Sequence, residues 1–205
     1  MSQESPPPSA RRSELLELAY RYVCEHGMAE LSLRPLAAAI GSSPRVLLYL
    51  FDSKAGLIRA LLARARADEL ALLDRMRHAA TQREADLPTV AVAVWEWLAD
   101  PDHRGLLTLW VEGYARSLTD PDGPWRGFAS ATVQDWLTLL TATQPTQQRD
   151  STAGRAQATA VLAILRGGLL DLLATGDTDR TTTAVADYLR QLNEHPTDVA
   201  RPVTR

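Results

Sequence analysis

Between Ser32 and Leu57 the chain reads SLRPLAAAIGSSPRVLLYLFDSKAGL, a run whose helix starts and stops fall so close together that few folds accommodate it. Ser32 is placed to cap a helix over Leu33 to Ile40, and Gly41 ends that helix where the backbone must turn without a Cβ penalty. Ser43 precedes Pro44, a cap followed by a residue that has no N–H to lose in the first turn and whose φ is already helical. A second helix is therefore predicted from Pro44. Within it Val46, Leu47, Leu50 and Phe51 can pack inward at three- and four-residue intervals, while Arg45 and Tyr49 share another face. Asp52 or Ser53 then caps a long helix expected to reach about Met76, with Leu57, Ile58, Leu61, Leu62, Leu70, Leu72, Leu73 and Met76 on its apolar side. That helix is expected to be the sole covalent link from this run to the later helices. An earlier helix is predicted from Ser9–Ser13 to His26, where Gly27 stops it, with Leu15, Leu18, Ala19, Tyr22 and Val23 on one face.

Two helices joined by a short glycine-containing turn are the form in which a helix is offered to a DNA major groove. An ordinary helical hairpin with a solvated Arg45 and Tyr49 satisfies the same pattern. The run AAAIGSSPRVLLYLFDSKAGL, however, resembles the helix-turn-helix signature of the TetR family of transcriptional regulators. Ala38 and Gly41 fall in the turn, Phe51 follows the recognition helix, and Ser53, Lys54 and Leu57 open the next helix; the resemblance extends over roughly Leu15 to Leu61. Family members usually carry a small or basic pair where this chain has Pro44 and Arg45, and a tyrosine where it has Leu48; the tyrosine here is one residue later, at Tyr49.

The resemblance implies an all-α chain, with an N-terminal three-helix DNA-binding domain joined to a helical ligand-binding and dimerisation domain. Expected boundaries are a disordered tail over 1–10, the helix-turn-helix domain over 11–56, the ligand-binding and dimerisation domain over 57–195 and a disordered tail over 196–205. Its implied partners are a double-stranded DNA operator, a small-molecule effector and a second copy of itself. Implied too is repression, relieved when a small apolar or aromatic molecule releases the dimer from a palindromic operator. The candidate DNA-binding residues are Arg34, Ser43, Pro44, Arg45, Val46, Tyr49 and Lys54. Arg45 is expected to meet a base edge, favouring guanine, with Val46 as an apolar neighbour. Tyr49, Lys54 and Arg34 are expected to position the helix on phosphates, and Arg34 reads equally well as a surface arginine.

Bulk properties restrict how such contacts could work. Net charge is only -3 and Lys54 is the one lysine, so DNA contact must depend on local placement of arginines and helix termini. With 45% hydrophobic residues in 205, a true core is available. Cys24 is the only cysteine, which excludes an intramolecular disulfide and a Cys-rich zinc site; it reads as a small buried hydrophobe rather than a redox sensor. His26, His78, His103 and His195 lack the paired spacing of a metal-binding helix, and neither a Gly-x-Ser-x-Gly elbow, a phosphate loop nor a paired-carboxylate arrangement stands out. Neither metal, cofactor nor enzymatic activity is expected. No apolar run approaches the ~20 residues that span a bilayer and the N-terminus does not read as a signal peptide, so a cytoplasmic protein without membrane partners is expected.

Beyond Leu87 the helical period continues, with helices expected over Leu87–Ala99, His103–Leu118, Trp125–Thr143, Ala153–Ala174 and Arg180–Asn193. All five tryptophans, Trp95, Trp97, Trp110, Trp125 and Trp136, lie in the first three of these, and either fill a core or line a cavity for an apolar ligand. Trp95 and Trp97 are two apart and cannot share a face. Candidate ligand-binding residues are Trp95, Trp110, Glu112, Tyr114, Trp125, Trp136 and Arg166, the polar ones doubling as surface or core-anchoring residues. The helix Ala153–Ala174 mixes small residues with leucines over more than one face, and a helix apolar all round needs cover on all sides. A second copy could supply it in a four-helix seam, with Ala158, Leu162, Leu165, Leu169, Leu172, Val185 and Leu189 as the expected interface. A reading from another class also stands: a helical ligand- or protein-binding dimer without sequence-specific DNA binding, which Pro44, Leu48 and the near-neutral reader would fit.

Overall fold

The three- and four-residue periodicity is realised as helix throughout. The computed structural model describes residues 8–28 and 31–194, and every regular element among them is helical. In chain order these are α1 (Pro8–His26), α2 (Leu33–Ala39), α3 (Pro44–Phe51), α4 (Lys54–Arg83), α5 (Leu87–Ala99), a 3-10 turn (Pro101–His103), α6 (Arg104–Thr119), α7 (Phe128–Ala142), α8 (Thr146–Arg149), α9 (Thr152–Thr175) and α10 (Thr178–Glu194). The tails expected over 1–7 and 196–205, and His195, lie outside the described residues. Residues 8–10 of the expected tail belong to α1.

The helices form two compact units. In the first, residues 8–28 and 31–69 group with 105–130; in the second, residues 70–104 group with 131–194. Packing thus divides the chain differently from a single cut at residues 56 and 57. The chain passes between the units three times, after Glu69, Arg104 and Ser130.

The first unit buries one line of each amphipathic helix: Leu15, Ala19 and Val23 of α1, Leu36 and Ala37 of α2, Leu47 and Phe51 of α3, and Leu57, Leu61 and Ala65 of α4. Leu107, Leu109 and Trp110 of α6 complete that core, together with Trp125 and Phe128. Trp125 does not open a helix as expected. It lies in a turn that ends at Gly127 in the left-handed region (φ 76°), so α7 starts at Phe128. In the second unit α5, α9 and α10 pack on one another. Asp86 accepts the Thr89 amide (3.0 Å) to start α5, and Ser151 accepts the Gly154 amide (2.9 Å) to start α9. The tight corner after α9 is closed by Gly176 at φ 71° and clamped by Arg180, whose guanidinium spans both carboxylate oxygens of Asp171 (2.7 and 2.8 Å). Two further differences from expectation are local: α4 continues seven residues past Met76, to Arg83, and the polar segment before α9 contains the one-turn helix α8.

Candidate nucleic-acid interface

Between α2 and α3 the backbone turns at Gly41 (φ 62°), and the Ser42 amide donates back to the Ala37 carbonyl (2.8 Å). Ser32 occupies the position before α2 without a side-chain cap bond, whereas Ser43 caps α3 as expected, its Oγ accepting from the Val46 amide at 3.3 Å. Leu47 and Phe51, four residues apart, form the buried line of α3 and Leu50 is half-buried. The expectation that Val46 packs inward is corrected: it lies about 100° around the helix from Leu47 and is 37% exposed. Arg45, Val46, Leu48 (41% exposed) and Tyr49 (76%) form the outer surface of α3. Leu48 therefore faces outward alongside Tyr49, so α3 presents both residues where the resemblance leads one to look for a single tyrosine.

The flanks of this surface are held firmly. Asp52 ends α3 with φ 65°, Ser53 Oγ accepts the Gly56 amide (2.9 Å), and a Cβ on Gly56 would lie 2.0 Å from the Phe51 carbonyl oxygen. Only glycine lets the first turn of α4 come this close to the end of α3. From α1, the Arg12 Nε–H donates to the Leu50 carbonyl (3.2 Å) and its guanidinium lies 4.8 Å from the centre of the Phe51 ring. Arg34 in the first turn of α2 and Lys54 in the first turn of α4 are exposed. The side chains of these two, and of Arg45 and Tyr49, make no hydrogen bond or ion pair with another described residue. The four remain open to an external anion or base edge.

Behind the reader, α1 and α4 are clasped by a polar cluster. Arg64 bridges Glu17 (2.7 Å) and Asp68, its guanidinium lies over the Tyr20 ring (4.8 Å), and the Tyr20 hydroxyl donates to Asp68 Oδ2 (2.9 Å). Burial, and then the Asp68 bond, push the Tyr20 phenol well above its ordinary value. Cys24, half-buried beside this cluster, has its thiol pushed up by burial as well, which keeps it in the unreactive protonated form. On α6 the Glu112 carboxylate accepts the Met28 amide at 2.6 Å.

Comparison with known proteins agrees with this geometry. The family model of bacterial regulatory proteins of the tetR family matches residues 15–61. The HTH-type transcriptional repressor Rv1474c of Mycobacterium tuberculosis is 30% identical over 188 residues, covering 88% of this chain and 91% of that protein. The chain belongs to the tetR family of bacterial regulatory proteins. The multidrug binding protein EbrR, solved with imidazole, is 28% identical to this regulator over 92% of this chain and 96% of that one, with a TM-score of 0.66. EbrR is also solved with proflavin and with ethidium. A TetR-family member from Streptomyces coelicolor A3 is 27% identical, covering 89% of this chain and 97% of that one, with a TM-score of 0.67.

The remaining candidate residues of this TetR-family regulator fall into three groups. Trp95, Trp110, Trp125 and Trp136 are all buried, Trp95 with its indole N–H donating to Thr182 Oγ1 (3.1 Å); Trp97, the half-buried one, stacks on His103. Glu112 is engaged with Met28, while Tyr114 and Arg166 are half-buried. These residues divide between the units: Trp95, Trp136 and Arg166 belong to the second and the other four to the first. Within the second unit a groove of about 530 Å³ runs between Leu70, Leu73, Asp74 and Arg77 of α4 and Asp135 and Leu139 of α7. Sequence reasoning missed it, and the structure leaves Leu70 beside it 46% exposed.

The expected dimer residues lie inside the protomer. Ala158, Leu162, Leu165, Leu169, Leu172, Val185 and Leu189 are all buried, in helices that pack on each other and on α5. The outer face of α9 carries Ala156, Ala163, Gly167 and Leu170 instead, with Leu170 53% exposed. By length and composition α9 could cross a membrane, at a mean hydropathy of 1.6, which corrects the expectation that no apolar stretch approaches that length. A third of its most apolar window is buried inside the protomer. Among the described residues no group of three or more His, Cys, Asp or Glu is placed to hold a metal ion.

Proposed function

We propose that this regulator is a homodimeric repressor that reads a palindromic operator through α3 and is released by a small apolar or aromatic molecule. The observation that carries the reading is the outer surface of α3, with Arg45, Val46, Leu48 and Tyr49 exposed on a helix whose Leu47 and Phe51 are locked into the core, flanked by Arg34 and Lys54. Arg45 meets a base edge, with guanine O6 and N7 the best match for its paired donors; Val46 contacts a neighbouring base. Ser43 and Pro44 bring the N-terminus of α3 towards the backbone, and Tyr49, Arg34 and Lys54 fix its register on phosphates. Residues 11–56 form the reading domain and 57–195 the ligand-binding and dimerisation domain of this cytoplasmic protein.

A second copy is proposed on the outer face of α9, where small residues allow close approach and Leu170 supplies apolar area. The two α3 helices of such a dimer would read half-sites one or two DNA turns apart, ~34 Å per turn. The effector site is proposed within the part of 57–195 that belongs to the second unit, with Arg166 as a polar contact and Trp95 and Trp136 as apolar walls. Support comes from the dyes bound to EbrR, both flat aromatic molecules. The effector acts by preferring the conformation in which the two heads are misaligned.

Selection of bound duplexes from a random DNA pool tests the reading directly. A two-fold symmetric motif is expected, and Arg45→Ala should lower affinity by about 5- to 150-fold and relax preference at one position in each half-site. Selection of no motif would leave the helical dimer without sequence-specific DNA binding.

A further inference from the structure

The chain passes from the second unit to the first between Arg104 and Gly105, at the start of α6. Arg104, its first residue, donates to the Leu173 carbonyl in the last turn of α9 (2.8 Å), and His103 just before it stacks on Trp97 with ring centres 4.0 Å apart. The next residue already belongs to the first unit: a Cβ on Gly105 would lie 2.3 Å from the Cys24 carbonyl oxygen, so the backbone of α6 rests directly on the end of α1. Leu109 (1% exposed), Glu112 and Gly113 follow at four, seven and eight residues from Gly105, along the same helix face. A Cβ on Gly113 would sit 3.1 Å from the Phe128 ring and 3.3 Å from Leu62, which beds this face closely on its neighbours.

Glu112 completes the face. Its carboxylate accepts the amide of Met28, a residue only 2% exposed, and a Cβ on the adjacent Gly27 (φ 78°) would lie 3.0 Å from Glu112 Oε1. A carboxylate on a buried amide makes a charge-assisted bond, and removing it strands the N–H without a partner. The amide belongs to the corner through which α1 leads towards α2, the first helix of the helix-turn-helix.

We propose that Glu112 is a positioning residue for DNA reading: it latches α6 to the α1–α2 corner, so that the head is set through α6 as well as through α4. The inference rests on the DNA-binding reading above, and it gives Glu112 a role that requires contact with neither effector nor DNA.

Two measurements on the full-length protein test it: amide exchange at Met28 and in α2 by NMR, and affinity for a duplex selected by the wild-type protein. Glu112→Ala should speed Met28 exchange by about 10- to 100-fold and weaken duplex binding by about tenfold, while Glu112→Gln, whose amide oxygen still accepts, should restore most of both. Unchanged exchange in Glu112→Ala, or fast exchange with full duplex affinity, overturns the proposal. If Glu112→Ala does not fold, Glu112→Asp, too short by one methylene to reach Met28, takes its place against Glu112→Gln with the same expectations. A wild-type protein that selects no duplex refutes the repressor reading alone. Exchange at Met28 and α2 then decides the latch, and protection unaltered by the substitution overturns it.

Discussion

Two adjacent glycines in α9 should respond to alanine with opposite signs. A Cβ at Gly167 would meet nothing within 4 Å, while a Cβ at Gly168 would lie 2.8 Å from Val185 Cγ2 and 2.9 Å from Trp95 Cζ3. Replacing glycine by alanine in a helix interior gains about 0.8–1 kcal/mol of propensity, and Gly167→Ala should keep most of it. At Gly168 that gain is opposed by overpacking, typically about 1–3 kcal/mol. The upper part of the range applies because neither neighbour can step aside: Trp95 is held by its bond to Thr182 and is 3% exposed, and Val185 is β-branched and equally buried. Gly168→Ala should therefore lose about 1–2 kcal/mol net. For a chain of this length about 1 kcal/mol moves Tm by 2–4 °C, so Gly167→Ala should rise by about 1–4 °C and Gly168→Ala fall by about 2–8 °C. Thermal unfolding followed by circular dichroism reads both, in a Leu170→Asp background whose outer α9 face carries no second copy, because association raises apparent stability. A Gly168→Ala protein as stable as wild type would refute the reasoning, since it would mean that the Trp95 and Val185 packing yields freely.

Stability should also fall in alkali through Tyr20. Its phenol is raised above the ordinary value of 10.0, so the folded state holds the proton more tightly than the unfolded chain. The contribution is whole below that value and is lost as pH rises past it. Denaturant midpoints measured from about pH 8 to 11 should drop more steeply for wild type than for Tyr20→Phe, and parallel curves would contradict the assignment. Leu170→Asp should leave the protomer folded, because the side chain is 53% exposed, yet shift sedimentation from dimer to monomer. An unshifted dimer would place the seam elsewhere.

What was legible in the sequence was local. Gly41, Ser43 and Pro44 specify their turn and helix start within a few residues, and the structure keeps them in those roles. Val46 was misplaced because an eight-residue helix offers two overlapping apolar lines, and only the spacing of Leu47 and Phe51 against the core selects one. On α9 the same ambiguity is larger: both faces are apolar, and nothing within the helix says that α5 and α10 of the same protomer cover the leucine line and leave the small-residue line outside. Glu112 was legible as a polar residue on an apolar helix, but its partner is an amide 84 residues earlier, a distance no periodicity spans. The groove between α4 and α7 was hidden for the same reason, being the product of two segments far apart in the chain.

The discontinuity of the first unit bears on how the protein is made. Residues up to 69 leave the ribosome before the segment 105–130 that completes their packing, and at about 5–20 residues per second synthesis from residue 70 through residue 130 takes several seconds. During that interval the nascent reader lacks Glu112 for the Met28 amide, and Leu107, Leu109 and Trp110 for its core. A fragment cut after residue 69 would stay permanently in that unfinished condition, and should bind DNA poorly even with every outer-face side chain of α3 intact.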